Sequence, residues 1–140
     1  MTITGWDHYT LRCHDLGTSW RFYAYVLGLR VVERTGVQVP AAIVYLDDMM
    51  LIHLFQASAE QEAEFAELAP PEAKWATGRL HHVALQARDL PQIRQRLAEN
   101  NIAFTERTLT AAGKHLVVFK DPDGVELELA FGLFEAVAPE

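Results

Sequence analysis

His8-Tyr9-Thr10-Leu11-Arg12-Cys13-His14-Asp15-Leu16 and His82-Val83-Ala84-Leu85-Gln86-Ala87-Arg88-Asp89-Leu90 make one statement twice: both histidines and both Asp-Leu pairs stand 74 positions apart. Further on, Glu33-Arg34-Thr35 recurs as Glu106-Arg107-Thr108 at an offset of 73. Asp47 answers Asp121 at 74, and Leu51-Ile52-His53-Leu54 answers Glu126-Leu127-Glu128-Leu129 at 75. Solenoid units run to roughly 20–50 residues and come in threes or more, so this longer repeat reads as two half-domains of one design, fused as a pseudo-two-fold.

Around the first copy, Tyr9, Leu11 and Cys13 alternate with His8, Thr10, Arg12 and His14, the period of two of a half-buried strand. Asp15 reads as the N-cap of a helix carrying Leu16, Trp20, Tyr23 and Leu27, and Gly28 stands where a C-terminal glycine stops such a helix. Trp20, Phe22, Tyr23 and Tyr25 are expected to pack mostly into the core. Short strands should follow at about 30–35, 41–47 and 49–55, broken by Gly36, Pro40 and Asp47-Asp48. The second half predicts a strand at about 80–87, an Asp89-capped helix with Leu90, Ile93 and Leu97, and strands near 103–108, 115–120 and 125–131. Each half is β-α-β-β-β, and the fold class is α+β. Residues 56–79, rich in Ala and Glu, predict a short helix at about 58–68 with a solvated charged face, then a linker broken by Pro70-Pro71. Module 1 then spans about 5–56, the linker about 57–78 and module 2 about 79–132, within one domain of 140 residues.

Half of the residues are hydrophobic and 22% are charged, which is ordinary for a globular chain and argues against wholesale disorder. No stretch approaches the 18 or more apolar residues of a membrane span, and no basic region with an apolar stretch opens the chain, so the expected address is the cytoplasm. A net charge of −7 opposes a phosphate backbone and points to a small-molecule partner rather than nucleic acid. Cys13 is the only cysteine, so there is neither an internal disulfide nor a thiolate cluster, and any metal must use histidines and carboxylates.

Alternation supplies such a set. Side chains on successive strand residues point to opposite faces, so His8 is directed away from Tyr9 and Leu11, and His82 away from Val83 and Leu85. By the same reasoning His53 opposes Ile52 and Leu54, and Glu128 opposes Leu127 and Leu129. Taken singly, each is a polar residue with one hydrogen-bond partner. Buried without partners, each would cost about 2–7 kcal/mol, and an ionised carboxylate more, so one shared cation satisfies all four at once.

These residues carry a resemblance to the vicinal oxygen chelate superfamily, which includes glyoxalase I, extradiol dioxygenases, fosfomycin-resistance thiol transferases and bleomycin-resistance proteins. The matching runs are His8 to Leu16, Trp20-Arg21-Phe22-Tyr23 through Gly28-Leu29, His82-Val83-Ala84-Leu85, and Asp121-Pro122-Asp123-Gly124-Val125-Glu126-Leu127-Glu128-Leu129. The resemblance implies two tandem modules forming a U-shaped mixed sheet around one divalent ion (Fe, Ni, Zn or Mn). His8, His82 and Glu128 fall at ligand positions. His53 stands where glyoxalase I usually has a glutamate, and imidazole can still bind such metals. Arg12 matches a glutathione-carboxylate contact, with a solvent or ion-pair role as its alternative, while Ala57 replaces an expected asparagine. A homodimer is expected, because two modules leave sheet edges that the family closes by pairing modules.

Three activities follow. The first is a metal-dependent lyase or isomerase resembling glyoxalase I, with Glu128 as the proton-transferring base. The second is an Fe(II) dioxygenase of catechol-like substrates, which needs only His8, His82 and Glu128. The third is a non-catalytic protein that sequesters a drug or metabolite. Of the remaining histidines, His14, His81 and His115 read as structural or exposed, with His115 the best candidate for a substrate contact. Asp121-Pro122-Asp123-Gly124 reads as a turn that aims the strand after it.

Overall fold

The repeat reappears as a repeated strand order in the computed structural model, which describes residues 6–68 and 80–136. In the first module β1 (Tyr9–Arg12), β2 (Arg30–Glu33), β3 (Ala41–Leu46) and β4 (Met49–Phe55) form a sheet ordered β1-β4-β3-β2. In the second, β5 (Val83–Gln86), β6 (Phe104–Leu109), β7 (Lys114–Lys120) and β8 (Glu126–Gly132) form a sheet ordered β5-β8-β7-β6. Each sheet has one parallel pair and two antiparallel pairs, which makes the chain α+β with two mixed four-stranded sheets. The registers correspond: Tyr9 faces Ile52 across β1 and β4, and Val83 faces Leu127 across β5 and β8. The chain divides into two compact units, Met1–Lys74 and Trp75–Glu140. The expected Pro70-Pro71 breaker lies outside the described residues. No helix among the described residues is long and apolar enough to cross a membrane.

Both predicted aspartate caps form. Asp15 accepts from the Thr18 amide at 2.7 Å and opens α1 (Leu16–Arg21); Asp89 accepts from the Gln92 amide at 3.1 Å and opens α3 (Leu90–Glu99). The first helix then widens into a π-turn over Phe22–Val26, closed by Leu27 N–H donating to the Phe22 carbonyl, before Gly28 ends it at φ 70°. The wider turn changes which aromatics face inward. Phe22 and Tyr23 are buried and Trp20 is half-buried, but Tyr25, expected in the core, is 70% exposed. The acidic helix α2 (Ala59–Leu68) begins with a reciprocal cap in which Ser58 and Gln61 exchange side-chain and backbone hydrogen bonds. Its Glu62 departs from the expected solvated face, pairing with Arg12 at 3.6 Å.

In each module one sheet face carries the core. Val44, Ile52 and Leu54 line it in the first, and Val117, Phe119, Leu127, Leu129 and Phe131 in the second, with Leu90, Ile93 and Leu97 of α3 also buried. The Asp121 carboxylate accepts from the Asp123 and Val125 amides and closes the turn that starts β8, with Gly124 at φ 87°.

On that core-side face of the second sheet, Thr108, His115 and Glu106 make a chain of contacts. His115 Nε2 lies 2.5 Å from Glu106, its Nδ1 2.9 Å from the Thr108 hydroxyl, and Arg94 of α3 clamps Glu106 at 2.7 and 2.8 Å. The Arg94 guanidinium, helped by His115 and opposed by burial, holds the Glu106 carboxyl down to about 2 from its ordinary 4.5. A carboxyl with a depressed folded pKa contributes stability that is complete above the ordinary value and lost as pH falls toward the folded one. Solvent on this edge strand screens the pair, so the contribution is about 1–2 kcal/mol. Urea unfolding at about pH 6 and about pH 3 should show wild type losing that much more stability than Glu106→Gln. Equal losses would remove Glu106 as the acid-sensitive group.

Candidate functional site

In the first module the candidate residues gather on the sheet face away from the core. Thr10 and Ile43 are the cross-strand neighbours of His53 on either side, the alternation of β1 places Thr10 and Arg12 on that same face, and His8 directly precedes the strand. The His8 and His53 rings stack with centroids 3.8 Å apart and planes 25° from parallel.

A β-bulge shapes this cluster. Val44 pairs with Ile52 but Tyr45 pairs with Met50, so Leu51 is an extra residue in β4. Met50 and His53, three apart, would face opposite ways on a regular strand; the bulge brings Met50 Sδ to His53 Nε2. The other ring nitrogen, Nδ1, lies 3.0 Å from Arg34. A guanidinium has only donors, so Nδ1 accepts and the proton of the neutral ring resides on Nε2. Burial lowers the His53 pKa, with the positive ends of His8 and Arg34 lowering it further.

His8 is arranged differently. Its Nδ1 donates to the carboxylate of Asp7, which leaves the Nε2 lone pair available. Carboxylate–histidine pairs of this kind orient and strengthen imidazole ligands in metal sites. Asp7, Arg34 and Met50 went unnoticed in the sequence; an acidic residue directly before a candidate ligand was the available signal for the first. Arg12, the proposed carboxylate contact, already holds one in Glu62, whose second oxygen is buried without a hydrogen-bond partner.

In the second module Ala84 faces Glu128 across β5 and β8, as Thr10 faces His53 in the first. His82, two residues before Ala84, therefore occupies the place that His8 has in its module. Glu128 is largely covered, 16% exposed in its side chain, with Arg107 at 4.0 Å. What stands next to His82, however, is a group not foreseen as ligands: its Nδ1 lies 2.9 Å from Nδ1 of His81, which is 3.5 Å from Glu126. His115 does not join Glu128. It pairs with Phe131 on the opposite, core-side face, buried against Glu106, so the structure separates the expected substrate contact from the expected base.

The donor chemistry fits a divalent ion. Imidazole nitrogens and carboxylate oxygens suit Zn, Ni, Fe and Mn. Among the described residues, His81, His82 and Glu126 bring their ligand atoms within 4.8 Å of one another.

Residues 5–129 match the family model described as the Glyoxalase/Bleomycin resistance protein/Dioxygenase superfamily. No curated protein matches the chain. Solved structures share its fold. The fosfomycin resistance protein FosX of Listeria monocytogenes superposes with a TM-score of 0.69 at 16% identity, covering 97% of this chain and 100% of its own. A glyoxylase/bleomycin resistance protein/dioxygenase domain from Frankia sp. EAN1pec gives 0.67 at 22%, covering 94% and 93%. TnmS3, an antibiotic binding protein from Streptomyces sp. CB03234, gives 0.65 at 19%, covering 94% and 98%. With its repeated β-α-β-β-β order, its matching strand registers and a family model spanning residues 5–129, the chain belongs to the Glyoxalase/Bleomycin resistance protein/Dioxygenase superfamily.

Proposed function

We propose that this protein is a metal-dependent small-molecule enzyme of the lyase or isomerase type, resembling glyoxalase I, in which His8, His53, His82 and Glu128 hold one divalent ion (Fe, Ni, Zn or Mn). The observation that carries the reading is the register equivalence of Thr10 with His53 and of Ala84 with Glu128, which gives each module a donor pair on its non-core face. The ion would supply Lewis acidity to two adjacent substrate oxygens. Glu128, mostly shielded from water, moves a proton between neighbouring substrate carbons. Arg12 takes a substrate carboxylate in place of Glu62, and Asp7 fixes the ring of His8. The protein works as a cytoplasmic homodimer.

A second reading is favoured by one observation: both nitrogens of His53 are engaged, by Arg34 and Met50. His8, His82 and Glu128 alone form a two-histidine, one-carboxylate set, which suits an Fe(II) dioxygenase of catechol-like substrates.

Native mass spectrometry and a substrate screen test these readings together. The expected spectrum has a mass near twice 15.8 kDa with bound divalent ions, and the loaded protein turns over hemithioacetals. Oxygen uptake with catechols would install the dioxygenase. Tight antibiotic binding by metal-free protein, with no turnover of either class, would make this chain a binding protein and overturn both enzymatic readings.

A further inference from the structure

We propose that His81, His82 and Glu126 form a second cation seat, built wholly within the second module and sharing only His82 with the four-residue set. It takes a divalent ion that accepts mixed nitrogen and oxygen donors, such as Zn, Ni or Co.

The geometry argues for it directly. Metal–nitrogen bonds of about 2.0–2.1 Å place neighbouring ligands about 2.9–3.4 Å apart at octahedral or tetrahedral angles. The two Nδ1 atoms lie 2.9 Å apart, and the Glu126 oxygen lies 3.5 Å from the nearer of them. Adjacent strand residues would point to opposite faces, but His81 and His82 precede β5. Their rings stand 86° apart with centroids at 5.1 Å, so both nitrogens are presented to one region. The alternation on β8 puts Glu126 on the same face as Glu128, and Val83 pairs with Leu127, so His82 and Glu126 each directly precede a residue of that pair. Glu126 also lines an open cavity of about 510 Å³ with Phe104, Val118, Phe119 and Lys120, a space large enough for a small molecule.

The seat stands independently of the four-residue reading, although His82 belongs to both. A neutral imidazole coordinates through one nitrogen and keeps its proton on the other, so His82 serves one seat at a time. With Nδ1 turned to His81, the ion at this seat excludes His82 from the other. The exposed pair is thus a capture site in competition with the four-residue set.

The test uses the full chain carrying His8→Ala and His53→Ala, which removes the first module's donors. Zn titration by calorimetry, read alongside ring 15N shifts, should still show one ion per chain, with Nδ1 of both His81 and His82 moving on binding. Adding His81→Gln or Glu126→Gln should weaken binding about 10-fold or more, whereas adding Glu128→Gln should leave it unchanged. The His81 side chain is 81% exposed and that of Glu126 32%, so these changes spare the core. If His81→Gln and Glu126→Gln leave affinity and shifts as they were, the seat does not exist. Failure of the four-residue reading has a different signature: wild-type affinity unaffected by His8→Ala and His53→Ala.

Discussion

His82→Ala is expected to strip the protein of divalent metal more completely than any other single change. His82 is a donor in both proposed seats, so its loss leaves the first without one of its histidines and the second with only His81 and Glu126. Affinity should fall by about 100-fold, the upper end of what even an outer partner of a metal ligand is worth. The fold should survive, since the residue is exposed and lies just before β5 begins. Elemental analysis after dialysis measures the outcome, with circular dichroism as the check on folding. A folded variant that retains wild-type metal content would dismiss His82 as a ligand and both seats with it.

Glu128→Gln should separate chemistry from metal binding. An amide oxygen can still ligate a cation, but it cannot accept a proton, so turnover should drop by about 10²–10⁴-fold while the ion is largely kept. Replacing a carboxylate that is 16% exposed by an isosteric amide also spares the packing around it, and its distant contact with Arg107 at 4.0 Å contributes little. Rates per bound metal with a hemithioacetal decide the matter. A metal-replete variant that turns over as fast as wild type removes the proton-transfer role, and one impaired only in proportion to lost iron points to the dioxygenase set.

Much of the architecture was legible because its signals are local. The strands directly after His8 and His82, the Asp15 and Asp89 caps and the Asp121 turn each depend on residues within a few positions of one another, and each formed, with the strands beginning at Tyr9 and Val83. The two-fold repeat then carried the topology, since identical patterns impose identical strand orders. Tyr25 shows where local reading stops. Its helical spacing with the other aromatics assumes a regular turn, and the π-turn over Phe22–Val26 sends it outward.

The chain's own order of residues therefore determined the α+β class, the paired modules and the non-core faces bearing His53 and Glu128, because strand alternation is a property of the backbone alone. Only the tertiary structure decided what each donor touches. The Val44–Tyr45 irregularity delivers Met50 to His53, α2 returns across some fifty residues to give Arg12 its Glu62, and the β6–β7 pairing buries His115 against Glu106 on the opposite face from Glu128. His81, one position out of register with the repeat, gains a role only because the chain before β5 is free of strand alternation and β8 sets Glu126 beside it. Contacts of this kind depend on which strands become neighbours and in what register, and no residue's sequence neighbours carry that information.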